Sequence, residues 1–142
     1  MYRNILIATD GSELAGKGLE HGLQLAKLLS AAVTVITVSE PWMLYGFTGY
    51  TEFEALEEAA QATANNILEA ATKSADAAGI PCKTVYVPQH YPADAILDCA
   101  SANSIDLIVM ASHGRRGVQR ILLGSQTIQV LTRSPIPVLI VK

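Results

Sequence analysis

Along this 142-residue chain the apolar residues gather in five short runs, Ile5 to Ala8, Val33 to Val38, Thr84 to Val87, Ile105 to Ala111 and Val138 to Val141. Most are rich in Val and Ile and bounded by Gly, Pro, Asp or Ser, which is the pattern of strands. The first and fourth show little alternation, which predicts strands covered on both faces. Between the runs the period is helical. Ala15, Leu19, Gly22, Ala26 and Leu29 form one stripe after Asp10, with Ser12 placed as its N-cap. An alanine-rich helix is predicted from about Thr51 to Ala78, stopped by Gly79-Ile80-Pro81. A third begins near Pro92, a residue suited to the first helical position, and buries Ala93, Ile96, Leu97 and Ala100. The last begins near Ser125 and ends before Pro135.

This order, strand and helix in strict alternation, predicts an α/β fold of three layers. Parallel strands joined by right-handed crossovers carry helices on both faces of one open sheet. Ligands of such sheets bind beyond the carboxyl ends of the strands, where strand order reverses. If the first and fourth strands are neighbours there, Asp10 and the loop after Met110 face one crevice. No domain boundary or internal repeat is visible, so residues 1–142 are expected to form a single domain.

Composition narrows the class. Half of the residues are hydrophobic and 16% are charged, which excludes a disordered chain. A core of this size needs neither metal nor disulfide. A net charge of −3 argues against a broad nucleic-acid surface. Cys82 and Cys99 form no C-x-x-C pair and no zinc-like spacing with the His residues, so they read as reduced, part-buried thiols. The N-terminal apolar run is too short for a signal peptide, and no run reaches the roughly 18 residues of a membrane span. A cytoplasmic protein is expected.

The chemistry concentrates in Met110 to Thr127, M-A-S-H-G-R-R-G-V-Q-R-I-L-L-G-S-Q-T. A buried strand leads into a loop holding Gly114, Gly117 and Gly124, and then into a helix. Glycines let a ligand approach the backbone, and a helix start offers free N–H donors with partial positive charge. Together they predict an anion site, for phosphate above all. At the end of the first strand stands A-T-D-G-S, Ala8 to Ser12. Asp10 can accept hydrogen bonds from a ribose hydroxyl or a base amine there, or it can cap the helix and shape the turn. Gly11 to Gly18, G-S-E-L-A-G-K-G, nearly fits a P-loop. Gly18 replaces its Mg²⁺-binding Ser or Thr, however, and the helical stripe places Gly16 and Lys17 inside the helix. No G-x-G-x-x-G fingerprint is present.

The segment reads A-S-H-G, nine residues, then G-S. In this it resembles the universal stress protein family. ATP-binding members of that family carry Gly, two residues, Gly, nine residues, then Gly with Ser or Thr. Gly114, Gly124 and Ser125 match, and Ala111 stands where the first glycine is expected. The resemblance extends to the opening I-L-I-A-T-D-G-S, the second strand ending at Val38 and the closing S-P-I-P-V-L-I-V-K. It implies a sheet in the order 3-2-1-4-5. It also implies adenine near Ala8, Thr9, Asp10 and Val38, with Met110 and Ala111 beneath the ribose and α-phosphate. The phosphates would lie on Gly114, Gly124, Ser125, Gln126 and Thr127, with Mg²⁺ or Mn²⁺ bridging their oxygens and no metal ligand assigned to the protein. A homodimer would pair last strands through Ile136, Val138 and Ile140, covering an edge that is otherwise an aggregation hazard.

Within the nine-residue stretch, Arg115, Arg116 and Arg120 either reach the β- and γ-phosphates or form a solvated basic loop. His113 either bonds phosphate or holds the loop through its backbone. Trp42, Tyr45, Phe47 and Tyr50, half of the aromatic residues, sit between Pro41 and Tyr50. They form a lid or partner surface, or pack on the following helix. Three functions are consistent with these readings: an ATP-binding regulator of the stress response, a slow nucleotide hydrolase, or a dimeric interaction module that needs no nucleotide. The first fits best, because the glycine pattern is nearly intact and general-base machinery is scarce.

Overall fold

In the computed structural model, residues 1–41, 46, 49–114 and 123–142 are described, with the backbone alone at 50 and 51. Arg115, Arg116, Gly117, Arg120, Trp42, Tyr45 and Phe47 lie outside the described residues, as does the side chain of Tyr50. The elements alternate as β1 (Asn4–Ala8), α1 (Glu13–Leu29), β2 (Ala32–Val38), α2 (Tyr50–Ala77), β3 (Cys82–Val87), α3 (Pro92–Ala102), β4 (Leu107–Ala111), α4 (Ser125–Arg133) and β5 (Val138–Val141). The sheet order is β3-β2-β1-β4-β5, and every pairing is parallel.

Helix faces follow from handedness. The chain steps outward one way through β1, β2 and β3, then jumps back to β4 and steps the other way to β5. Right-handed crossovers therefore put α1 and α2 on one face and α3 and α4 on the other. Two cores result. Ile5, Ile7, Val33, Val35, Leu107 and Val109 meet Leu23 and Ala26 of α1 and Leu68, Ala71 and Ala75 of α2. Leu6, Ile36, Ile108 and Met110 meet Ala93, Ile96, Cys99 and Ala100 of α3 and Val130 of α4. Alternate residues of one strand thus point into opposite cores, and for that reason the central strands read as unbroken apolar runs.

The closeness of α1 to the sheet is set by its small residues. A Cβ on Gly22 would lie 2.5 Å from Cδ1 of Ile7, and one on Gly18 would lie 3.5 Å from the Ala111 nitrogen. Gly16 and Lys17 are interior to α1, so the near-P-loop is helix and not a phosphate loop. Ser12 caps α1, its Oγ accepting from the Ala15 N–H at 3.2 Å.

The fourth strand begins two residues later than its apolar run suggests. The Ile105 N–H returns to the Ala100 carbonyl at 3.1 Å, closing the end of α3. The Asp106 carboxylate accepts from the Arg3 and Asn4 N–H groups at 2.8 and 3.1 Å. These two residues therefore fasten α3 and the start of β1 before the β4 ladder begins. No helix among the described residues is long and apolar enough to cross a membrane.

Candidate functional site

The reversal of strand order falls between β1 and β4, which pair in register from Ile5 with Leu107 to Ile7 with Val109. Two loops leave this point on the carboxyl side of the sheet. Beyond β1, Gly11 takes φ +80° and lets the chain fold back, so that Asp10 Oδ1 accepts the Ser12 N–H at 2.9 Å. Thr9 is buried, and its hydroxyl accepts from the Gly11 N–H at 3.2 Å. Asp10 thus shapes the turn, and its other carboxylate oxygen faces Gly114: a Cβ there would stand 2.5 Å from Oδ2. One oxygen of Asp10 thus serves the turn, and the other lies on the side of Gly114.

Beyond β4, Ser112 is the knot. Its N–H donates to the Val141 carbonyl at 2.9 Å, its carbonyl accepts from the Gly124 N–H at 2.7 Å, and its Oγ lies 3.2 Å from Nδ1 of His113. The two ends of the glycine segment are therefore joined at Ser112. Gly124 packs on His113, where a Cβ would meet the His113 Cα and Cβ at 3.2 Å each. His113 thus packs against the N-cap of α4 through its Cα and Cβ and meets the Ser112 hydroxyl through its ring. Sequence reasoning misses Ser112, because a serine after a strand carries no distinguishing pattern.

Helix α4 starts at Gly124, whose N-cap position offers no side-chain hydrogen bond. The first N–H groups of a helix have no partner within it. The turn bearing them is held from below. Thr127 is buried, and its hydroxyl donates to the Ala111 carbonyl at 3.1 Å. Gln126 Oε1 accepts the Ala93 N–H of α3 at 2.9 Å. The hydroxyl of Thr127 and the amide oxygen of Gln126 are thus directed into the protein.

Ala111 fits where a glycine was expected. It closes β4 opposite Val141, is buried, and is not among the residues with positive φ. Its backbone is one that any residue adopts, and α1 passes it at Gly18. Met110 is also buried, its side chain in the core with α3 and α4.

On the far side of β1, Ala8 pairs with Ile36, and Val38 ends β2 opposite Val87. Ser39, the next residue, ties β2 to the chain beyond β3. It takes hydrogen bonds from the Gln89 N–H on Oγ at 3.0 Å and from the His90 N–H on its carbonyl at 2.8 Å, and its Oγ pairs with the Tyr86 hydroxyl at 3.0 Å. Gln89 takes φ +47°, an uncommon conformation outside glycine, and its side chain donates to Glu57 of α2 at 3.2 Å. Neither Ser39 nor Gln89 carries a sequence signal.

The cysteines are elsewhere. Cys82 opens β3 and Cys99 lies late in α3, both toward the amino end of the sheet. Burial raises both thiols above their ordinary value, with Asp76 adding to the effect at Cys82 and Lys83 and Asn103 opposing it at Cys99. Among the described residues no group of three His, Cys, Asp or Glu side chains could hold a metal ion.

An open parallel sheet of order β3-β2-β1-β4-β5 with a glycine-lined crevice at its switch point defines the doubly wound class of α/β protein, which binds ligands at that point. The sequence model of the universal stress protein family matches residues 1–142, and the chain belongs to that family. It is 32% identical to universal stress protein MJ0531 of Methanocaldococcus jannaschii, over all of this chain and 83% of that one. The solved structure of MJ0577, a universal stress protein of the same organism, superposes with a TM-score of 0.87 at 32% identity, covering 100% of this chain and 96% of that one. A universal stress protein solved in complex with cAMP superposes with a TM-score of 0.73 at 28% identity, covering 99% and 96%.

Proposed function

We propose that this protein binds ATP in the crevice between β1 and β4 and acts as a regulator of the stress response through nucleotide occupancy. The observation that carries the reading is the pair of loops at the switch point. Gly114 lies against Asp10, while Gly124 ties the uncapped start of α4 to Ser112. The nucleoside would lie along Ala8, Thr9, Asp10 and Val38. The phosphates would lie on the backbone of Gly114, Gly124, Ser125, Gln126 and Thr127, where N–H donors and the helix dipole favour negative charge. Arg115 and Arg116 would add to that charge balance. A Mg²⁺ or Mn²⁺ ion would arrive with the nucleotide and neutralise phosphate charge. The cAMP-bound relative supports an adenine nucleotide of some kind. Titration calorimetry with ATP, AMP and cAMP, together with the mass of any small molecule that copurifies, tests the reading. Absence of heat with millimolar ATP would refute it.

The same reading includes a homodimer through β5. That strand pairs with β4 alone, and its residues Val138 and Ile140, with Ile136 before them, are only partly buried. Helix α4, which leads into β5, leaves Ile128 and Leu131 exposed. Sedimentation equilibrium is expected to give twice the chain mass, and Ile128→Lys with Leu131→Lys to shift it toward the single chain.

A further inference from the structure

Helix α3 has no cap of its own. Its N-cap residue is Tyr91, whose side chain makes no capping hydrogen bond, and Pro92 follows without an N–H to offer. The next donor, the Ala93 N–H, is wholly buried and would be left unsatisfied. It is met by Oε1 of Gln126 at 2.9 Å, from the first turn of the neighbouring helix. The assignment of that atom is fixed by chemistry, since a backbone N–H can donate only to the amide oxygen.

This bond joins the first turns of α3 and α4, the two helices on one face of the sheet. The α4 turn has two other ties, Thr127 to Ala111 and Gly124 to Ser112, and both run to the β4 side. Of these three ties, Gln126 alone reaches across to α3. The residues leading into α3 hang in turn on Ser39, through the Gln89 and His90 N–H groups. Ser39 directly follows Val38, where the nucleoside would lie. A continuous path of hydrogen bonds and short chain segments thus runs from the nucleoside end of the crevice, through Ser39 and the start of α3, to the turn that would carry phosphate.

We infer that Gln126 is a positioning residue: it holds the first turn of α4 in register with α3 for a polyphosphate ligand and does not touch that ligand through its side-chain oxygen. The inference rests on the nucleotide reading above. Two consequences separate it from a direct phosphate contact and from a mere helix cap. A carboxylate at this position keeps an acceptor of the same length at the α3 N-terminus, where negative charge is favoured. A leucine removes the bridge. A cap supplied from within α3 restores that helix without restoring the bridge.

ATP affinity by calorimetry and thermal midpoints are measured on the intact protein and on Gln126→Leu, Gln126→Glu, and Gln126→Leu combined with Tyr91→Asp. Gln126→Leu is expected to weaken ATP binding at least about fivefold, a small coupling between sites. At high salt Gln126→Glu is expected to bind more tightly than Gln126→Leu. The combined variant is expected to regain thermal stability, because Asp is a strong N-cap, while keeping the weakened binding. Three results would overturn the inference. Binding by Gln126→Leu equal to that of the intact protein makes the bridge irrelevant. Gln126→Glu binding less tightly than Gln126→Leu at high salt, where through-space repulsion between the new carboxylate and phosphate is screened, indicates direct contact with phosphate. Recovery of affinity together with stability in the combined variant reduces Gln126 to a cap. If the intact protein binds no ATP, the nucleotide reading itself fails; equal binding by intact protein and variants defeats this inference alone.

Discussion

Gly114 and Asp10 are in such close approach that a methyl group on Gly114 would stand 2.5 Å from the Asp10 carboxylate. The other oxygen of that carboxylate holds the Ser12 N–H and so the start of α1. The glycine of the loop after β4 and the acid of the turn after β1 are therefore one steric unit.

Gly114→Ala should force Asp10 aside and turn the crevice out of shape. ATP affinity is expected to fall about tenfold, equivalent to about 1.4 kcal/mol. The thermal midpoint should fall with it, because displacing Asp10 loosens its hold on the Ser12 N–H at the start of α1. Calorimetric titration beside a melting curve checks both halves of the statement. A variant that binds as tightly as the intact protein would contradict it.

Gly22 and Gly16 lie in the same helix and should respond with opposite signs. A Cβ on Gly22 would meet Ile7 Cδ1 at 2.5 Å, and Ile7 is wholly buried and cannot yield without disturbing the sheet. Gly22→Ala is expected to destabilise by about 1–3 kcal/mol through overpacking. A Cβ on Gly16 meets nothing within 4 Å. Gly16→Ala is expected to stabilise by about 0.5–1 kcal/mol, because alanine loses less backbone entropy in a helix. Urea unfolding of the two variants reads the difference.

Thr127→Val keeps the shape of a buried side chain and removes its hydroxyl, leaving the Ala111 carbonyl without that donor. A loss of about 1–2 kcal/mol in unfolding free energy is expected. Because the same bond seats the α4 turn, ATP affinity should fall as well. Thr127→Ser, which retains the hydroxyl, should restore most of the affinity. Denaturant unfolding and calorimetry on both variants check the pair of effects.

The cysteines give the protein an alkaline limit. Both folded thiols hold their protons more tightly than the ordinary value of 9.0, chiefly because burial disfavours the thiolate. Their contribution to stability is complete below that value and is lost as pH rises through the folded values. The denaturation midpoint should therefore decline above about pH 9. Part of that decline should be absent in Cys82→Ser, which cannot form a thiolate. Equal slopes in the two proteins would show that other groups set the limit.

Much of the architecture is legible along the chain because it is local. Val and Ile runs, the helical stripe after Ser12 and the stop at Gly79 each depend on neighbours a few positions away, so strands, helices and their alternation can be read in order. Even there the start of β4 departs from its apolar run, because Ile105 and Asp106 belong to that run by position but serve other partners, Ala100, Arg3 and Asn4. The strand order is legible only through the family resemblance, since no periodicity says which strand neighbours which.

By itself, then, the sequence determined the element order, the α/β class and the spacing of Gly114, Gly124 and Ser125 that marks the crevice. It did so because periodic burial and glycine content are written in adjacent residues. Tertiary structure decided why those glycines are needed, one lying against Asp10 and the other against His113. It also decided that Ser112 and Ser39 bind the loops together and that Gln126 caps a helix other than its own. Each of these is a short-range steric or hydrogen-bond requirement between segments far apart in the chain. Such a requirement exists only once the sheet has brought them together.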